Sequence, residues 1–438
     1  MEKSILELND ECLLAIFEKM GRVAQGMWSR VCKRFAKIYC EYYIHKLIIQ
    51  GYDDTLLDDR FVQIFGHLIG TELFPLKDIK SLKFDETCSI YYNKFFFNML
   101  RHDHPSIERI ELYGFLDKDI NNLLPLPNVK RLHFKYTTIT GKHLDRLQTL
   151  EELKMEGASS FESKQLLVIA KNNRLRKLII RNSPVVFAPK HALEIVGNLK
   201  YIEELELNWN EIRQYQVLGA LPRLKALVIN DFKTFQCPKC KEFDRGVITR
   251  PTNAHNFGMC NCGPYEAKFL FRALAENKKM EQLIFIGYRL TTRDLKHISQ
   301  LTSLKILYLA VDNLPVYISL AMFSKMRHLE VLDLGYSWKL PKDALELLKN
   351  CENLKFANFG NCEGFKDDFI LKAIDIVKSR IPTSAEPIRL QLLNADIEKE
   401  FLEEEHVKAA ESWITFYCYM QSEQKIRLCR NYYYLLAC

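Results

Sequence analysis

Apolar residues recur through most of this chain in one spacing, L-x-x-L-x-L, with any large apolar residue allowed at the L positions. The series runs Ile79-Leu82-Phe84, Ile107-Ile110-Leu112, Val129-Leu132-Phe134, Leu150-Leu153-Met155, Leu175-Leu178-Ile180, Ile202-Leu205-Leu207 and Leu224-Leu227-Ile229. After a gap it resumes with Met280-Leu283-Phe285, Leu304-Leu307-Leu309, Leu329-Leu332-Leu334 and a degenerate Leu354-Ala357-Phe359. Starts from Ile107 to Leu224 are separated by 22, 21, 25, 27 and 22 residues, and those from Met280 to Leu354 by 24, 25 and 25. The last two apolar positions of each unit alternate with polar ones, which predicts a short strand with one face inward. The stretch before the next unit, as in KDALELLKNCENL at 342–354, has helical periodicity and predicts a helix covering the other side. A period in this range is the signature of a solenoid in which neighbouring units bury a continuous core, here with parallel strands on the concave face and helices outside.

The first 48 residues follow a different period. Leu13, Ile16, Phe17 and Met20 lie at i, i+3, i+4 and i+7 of one helical stripe. Asn9 is placed to cap that helix, Asp10 and Glu11 put negative charge in its first turn, and Leu8 stands where it can staple onto Leu13. Beyond GRVAQG, read as a linker, MWSRVCKRFAKIYCEYYIHKLII places Trp28, Val31, Cys32, Phe35, Ile38 and Tyr39 on one face of a second helix. Ile44-Leu47-Ile49 is a candidate first, degenerate strand.

Composition narrows the function classes. The 438 residues are 48% hydrophobic and carry 62 Lys+Arg against 55 Asp+Glu, a net charge of +7 that suits acidic partners without a basic arm. The acidic N-terminus has no apolar core of a signal peptide, and no uncharged apolar stretch approaches ~18 residues. The expectation is an intracellular chain, cytoplasmic or nuclear, with no membrane association and reduced cysteines. Paired catalytic carboxylates, a nucleophile–base set, HExxH and a phosphate-cradling glycine loop are all missing from the sequence, so an enzyme is the least favoured class.

The repeat series, with Cys351 ahead of Leu354 and the small polar Asn210 and Cys362 following their strands, resembles the cysteine-containing leucine-rich repeats of F-box proteins. The N-terminal pattern L-x-x-E-x-L-x-x-I-F followed by W-x-x-V-C-K-R-F resembles an F-box over residues 5–48. The resemblance therefore implies an α/β leucine-rich-repeat solenoid preceded by a small helical F-box, in a substrate receptor of a cullin–RING ubiquitin ligase. On that reading residues 5–48 are the F-box, 49–394 the solenoid with a Cys-rich insertion at 231–264, and 395–438 a C-terminal helix and aromatic tail acting as a cap. It implies that Leu8, Leu13, Ile16, Phe17, Met20, Trp28, Val31, Cys32 and Phe35 meet a Skp-family adaptor, and through it cullin and RING subunits. No cofactor is required, and catalysis belongs to the other subunits. The rival class is a leucine-rich-repeat scaffold without ligase association.

The non-aliphatic strand positions define the surface for a protein substrate, and they change character along the chain. Lys83, Arg109, Arg131, His133, Lys135, Lys154, Lys177 and Arg181 come first, interrupted by Asp85, Glu111, Glu152 and Glu156, and Glu204 and Glu206 follow. Later strands offer Ala226, Val228, Ile284, Ile286, Ile306, Tyr308, Val331 and Phe356. The basic part suits an acidic or phosphorylated segment. The apolar part needs covering, either by substrate or by the aromatic tail, ESWITFYCYM and YYYLLAC. Nucleic acid is disfavoured because Tyr113 alone offers stacking in the early strands.

One cluster stands apart. Cys237-x-x-Cys240 and Cys260-x-Cys262 have the ligand count of a structural zinc site, with His255 as a substitute ligand, although an unliganded loop accounts for the same residues.

Overall fold

The computed structural model describes residues 5, 8–20, 22–28, 31–32, 34–35, 38, 46–49, 80–84, 105–123, 126–183, 189–208, 215–230, 267–276, 279–313, 318–334, 341–361, 364–380, 386–393 and 395–417. They fall into two compact units, Met1–Leu199 and Lys200–Cys438.

In the first unit the predicted strands form β1 (Lys46–Ile49), β2 (Ser81–Phe84), β3 (Arg109–Tyr113), β4 (Arg131–Lys135), β5 (Glu152–Glu156) and β6 (Lys177–Arg181). They pair in parallel in chain order, β1 with β2 through to β5 with β6, so the degenerate strand read at 44–49 is part of the sheet. Alternation does what the spacing predicts. Ile110, Leu112, Leu132, Phe134, Leu153, Met155, Leu178 and Ile180 are all buried, while their neighbours Arg109, Glu111, Lys135, Lys154 and Arg181 stay partly exposed. Helices Asp117–Leu123, Ser163–Asn172 and Pro189–Asn198 and the 3-10 turn Leu144–Arg146 follow the strands. Helix Ser163–Asn172 buries Leu166, Leu167, Ile169 and Ala170 on its sheet-facing stripe. Asn173, just past its end, is buried and accepts a hydrogen bond from the Leu150 backbone N–H at 2.8 Å, tying one repeat to the one before it.

Strand exit is as regular as the core. The residue after each of β3, β4, β5 and β6 is in the left-handed region: Gly114 (φ 68°), Tyr136 (φ 47°), Gly157 (φ 68°) and Asn182 (φ 52°). The N–H of Gly114, Tyr136 and Gly157 donates to Lys135, Glu156 and Arg181 carbonyls on the following strand, so the turn closes the ladder. Gly157 has a second reason to lack a side chain, since a Cβ there would lie 2.8 Å from Tyr136 Cδ1.

The second unit holds β7 (Glu204–Asn208), β8 (Ala226–Asn230), β9 (Gln282–Arg289), β10 (Ile306–Asn313), β11 (Ile318–Ser319), β12 (Val331–Asp333), β13 (Pro341–Lys342), β14 (Phe356–Asn361), β15 (Ile388–Leu393) and β16 (Ile414–Tyr417). β7, β8, β9, β10, β12, β14, β15 and β16 pair in parallel in that order, and β11 pairs with β13. Helices Ala267–Ala275, Thr292–Ile298, Ala344–Asn350 and Asp367–Arg380 intervene. Thr291 and Asp294 form a reciprocal capping box at the second of these. Residues 414–417, within the segment read from sequence as a C-terminal cap, form the last strand of this sheet among the described residues, reached through short helices Lys399–Leu402 and Glu405–Lys408. The fold of both units is that of a leucine-rich-repeat solenoid.

A feature absent from the sequence reading runs along the edge where the strands begin. The residue immediately before the strand alternates in charge from β2 to β6, as Lys80, Glu108, Lys130, Glu151 and Arg176, and over β7, β8, β9, β10, β12 and β14, as Glu203, Lys225, Glu281, Lys305, Glu330 and Lys355. The carbonyls of Lys80, Glu108, Lys130, Glu151, Glu203, Lys225, Glu281, Lys305 and Glu330 each take hydrogen bonds from two successive N–H groups at the start of the next strand, as Glu108 does from Lys130 and Arg131. Side chains then meet as Lys130–Glu108 (3.1 Å), Lys225–Glu203 (3.0 Å), Lys305–Glu281 (2.8 Å) and Lys355–Glu330 (2.7 Å). The Lys130 hydrogen bond holds Glu108 below the usual carboxylate range, and Glu281 raises Lys305 as Glu330 raises Lys355.

Candidate functional site

The N-terminal segment folds around its own small core. Asn9 Oδ1 accepts from Cys12 N at 2.9 Å and starts helix Asp10–Lys19, as predicted. Leu13, Phe17, Phe35 and Ile38 are buried together, with Leu8, Leu14, Trp28 and Cys32 packed against them. Trp28 stacks on Phe35 (centroids 5.5 Å, 9° between planes) and both rings meet Phe17 edge-on. Two corrections follow. The stripe expected to wait for a partner is partly covered within the chain, so Leu13, Phe17 and Phe35 join these segments together and do not face outward. GRVAQG is no linker, because Arg22–Trp28 is the second helix, and Val31 follows in a turn whose N–H reaches the Trp28 carbonyl. Gln25 supplies the polar reason: its buried amide donates to the Phe17 carbonyl at 2.7 Å and ties the second helix to the first. Arg34 holds Asp10 through two nitrogens at 2.9 and 2.6 Å.

What remains outward is a different set. Met27 and Val31 are each 66% exposed, Ile5 is exposed, and Ile16 and Met20 are half-buried. Of the residues expected to meet an adaptor, Val31 is exposed and Ile16 and Met20 are half-buried outside that core, while Leu8, Trp28 and Cys32 are half-buried against it. Met27 was not among those expected, yet its place on the helix ending at Trp28 brings it to the surface.

On the first unit the sheet's outward positions line up in three rows. Ser81, Arg109, Arg131, Glu152 and Lys177 are in register, as are Lys83, Glu111, His133, Lys154 and Ile179, and then Tyr113, Lys135, Glu156 and Arg181. Arg109 and Glu111 pair at 3.4 Å. His133 is buried in this surface, its Nε2 4.0 Å from Glu156 Oε2 and without a hydrogen-bond partner. Burial, then the fields of Lys154, Lys135, Arg109 and Arg181, push its pKa down to about 3, so the ring is neutral near pH 7. Ile179, an aliphatic outlier in this row, is buried. Tyr136, unforeseen from sequence, stands 56% exposed at the strand exit with its ring 5.6 Å from Tyr113.

The second unit presents the opposite chemistry in the same way. Its central row reads Glu206, Val228, Ile284, Tyr308, Asp333, Asn358, Gln391 and Tyr417. The row beside it reads Glu204, Ala226, Gln282, Ile306, Val331, Phe356, Arg389 and Thr415. Ile284 and Phe356 are buried, and Ile286, Ile306 and Tyr308 are half-buried. The apolar panel lies between two carboxylate–amide pairs, Asn230 donating to Glu206 at 2.6 Å and Asn358 to Asp333 at 2.9 Å.

Cys237, Cys240, His255, Cys260 and Cys262 lie outside the described residues, as do Asn210, Cys362 and the tail from 418. Cys351 is buried with its thiol pushed up to about 11, first by burial, which fits a core residue and not a reactive one.

No family model matches the chain, and no curated protein matches it. Solved structures do. The chain is similar to an internalin (InlF) of Listeria monocytogenes, at 15% identity over 94% of each chain with a TM-score of 0.49. It is similar to a chain of the yeast Rad7 and Elc1 complex, at 12% identity over 97% of this chain and 100% of that one, TM-score 0.42. The third is the leucine-rich-repeat ectodomain of the receptor kinase GASSHO1/SCHENGEN3 of Arabidopsis thaliana, in complex with CASPARIAN STRIP INTEGRITY FACTOR 2. There the identity is 14% over 78% of this chain and 39% of that one, with a TM-score of 0.39. Among the described residues no helix is long and apolar enough to cross a membrane.

Proposed function

We propose that this chain is the substrate-recognition subunit of an SCF-type ubiquitin ligase. It joins a Skp-family adaptor through the N-terminal helices, and through the adaptor the cullin and RING subunits, and it holds a target protein on the open strand face of the repeats. The observation that carries the proposal is the N-terminal module. It has a core of its own in Leu13, Phe17, Phe35 and Ile38, yet it leaves Met27 and Val31 two-thirds exposed and Ile16 and Met20 half-buried. Apolar side chains left in water on a module that has its own core suit a partner's surface. The chain supplies proximity, not a catalytic group: it raises the effective concentration of a substrate lysine beside a charged conjugating enzyme. It needs no cofactor for this role and acts in the cytoplasm or nucleus.

Co-purification of the full-length chain with a Skp-family adaptor tests this reading. The double variant Met27→Asp/Val31→Asp changes only exposed side chains and should lose the adaptor while keeping the wild-type circular dichroism spectrum. A folded wild-type chain that fails to bind would leave a repeat scaffold without ligase association as the better description.

A further inference from the structure

We infer that the apolar panel on the strand face of the second unit is covered by this chain's own segment 432–438, YYYLLAC. The segment lies outside the described residues, and the surface it would meet lies within them. The inference stands on the repeats and the sequence alone and does not depend on the ligase reading.

The panel is contiguous. Val228, Ile284, Ile286, Ile306, Tyr308 and Val331 take outward positions on the neighbouring strands β8, β9, β10 and β12, and all of them except the buried Ile284 are half-buried. A joined apolar surface of that kind marks a place where something docks. Its flanks are acidic. The central row and the row beside it, taken from β7 to β12, carry Glu204, Glu206 and Asp333 and no lysine or arginine. An occupant therefore needs an apolar body and a basic approach.

The segment has both, in the right order. YYYLLAC carries no charge, and the stretch ahead of it holds Lys425, Arg427 and Arg430 against Glu423. Coming from β16, the chain crosses β15 and β14 and reaches Asp333 on β12 before the panel, so its basic stretch arrives first at the acidic flank. Lengths agree as well. From β16 to β12 is three strand spacings, about 14 Å, and residues 418–431 can span up to about 46 Å when extended. From β12 to β7 is four spacings, about 19 Å, and residues 432–438 extended reach about 20 Å. The tyrosine rings suit aliphatic neighbours, and their hydroxyl groups suit the Asn230–Glu206 and Asn358–Asp333 pairs at the two sides. Tethered to the same unit, the segment meets the panel at an effective concentration of about millimolar, which a separate partner must overcome by affinity.

The test uses the full chain carrying Ile306→Cys on the panel or, as control, Lys154→Cys on the first unit. Maleimide labelling at each position is followed by mass spectrometry of its own peptide. Adding Tyr432→Asp/Tyr433→Asp/Leu435→Asp should speed labelling at position 306 at least tenfold, leave position 154 within twofold, and keep the circular dichroism spectrum. A synthetic peptide of residues 425–438, with serine for both cysteines, should slow position 306 again when added to that variant. Arg427→Glu/Arg430→Glu leaves the aromatic run intact and should speed position 306 at least twofold. Equal labelling with and without either set of substitutions overturns the inference and leaves the panel open to a target protein. Protection at position 306 that falls away on about hundredfold dilution of the chain also overturns it, because the cover would then belong to a second copy.

Discussion

The two units use one strand grammar to make opposite surfaces. Position for position, the central row of the first unit is Lys83, Glu111, His133, Lys154 and Ile179, and that of the second is Glu206, Val228, Ile284, Tyr308, Asp333 and Asn358. The buried partners of these rows scarcely differ: Leu153 and Leu178 in one, Leu227 and Leu283 in the other, none above 1% exposed. The inward face is dictated by packing, which tolerates little beyond Leu, Ile, Val, Met and Phe. The outward face is under no such rule, so the difference between the units is a record of what each side is for.

The largest effect should come from forcing the second unit to resemble the first. Ile284 is 4% exposed, and Ile284→Lys would bury an ammonium among aliphatic neighbours, costing about 3 kcal/mol or more. Urea unfolding followed by intrinsic fluorescence should show the midpoint fall. The reciprocal change, Lys154→Ile at a half-buried position, should move stability by no more than about 0.5 kcal/mol while removing a cation from the first face. A large destabilisation there would mean the two rows are not equivalent. Next in size is Gly157→Ala, which combines φ +68° with a Cβ 2.8 Å from Tyr136, and should cost about 1–2 kcal/mol in the same unfolding experiment.

The last comparison concerns acid. His133 has its folded pKa lowered to about 3 from 6.5, so the unfolded chain binds the extra proton between those values. Stability from this group is complete above pH 6.5 and is lost as pH falls toward 3. His133→Gln should therefore flatten the stability–pH curve in that window by at most one proton, measured as unfolding midpoints at pH 4, 5, 6 and 7. An unchanged slope would indicate that the ring is not held neutral by its surroundings.

The strands were legible because each carries its aliphatic pair three residues after another aliphatic residue. β15 and β16 escaped because the matching positions are Ala385 and Glu411. Ile388 with Leu390, and Ile414 with Phe416, alternate correctly without that leader. The N-terminal helix was legible from its cap and stripe. Its covering was not, because Phe35 and Ile38 return to Phe17 across more than a dozen residues, beyond any local period. In the candidate sites, the composition of each strand face could be written from alternation alone. That His133 is buried among its cations, that Tyr136 adopts the left-handed region, and that Asn230 pairs with Glu206 depend on register between strands, which a single sequence does not display.

The alternating rim at the strand starts gives the chain a parity. Within either unit, excising a single repeat would bring two residues of like sign together, as removal of the Lys305 repeat would set Glu281 against Glu330. Excising two adjacent repeats would restore the sequence of signs. Each exposed pair contributes little, but the preference has the same direction at each junction from Lys80 to Arg176 and from Glu203 to Lys355. Within each unit, repeat number is therefore favoured to change by twos, and the edge of the sheet works as a checksum on length.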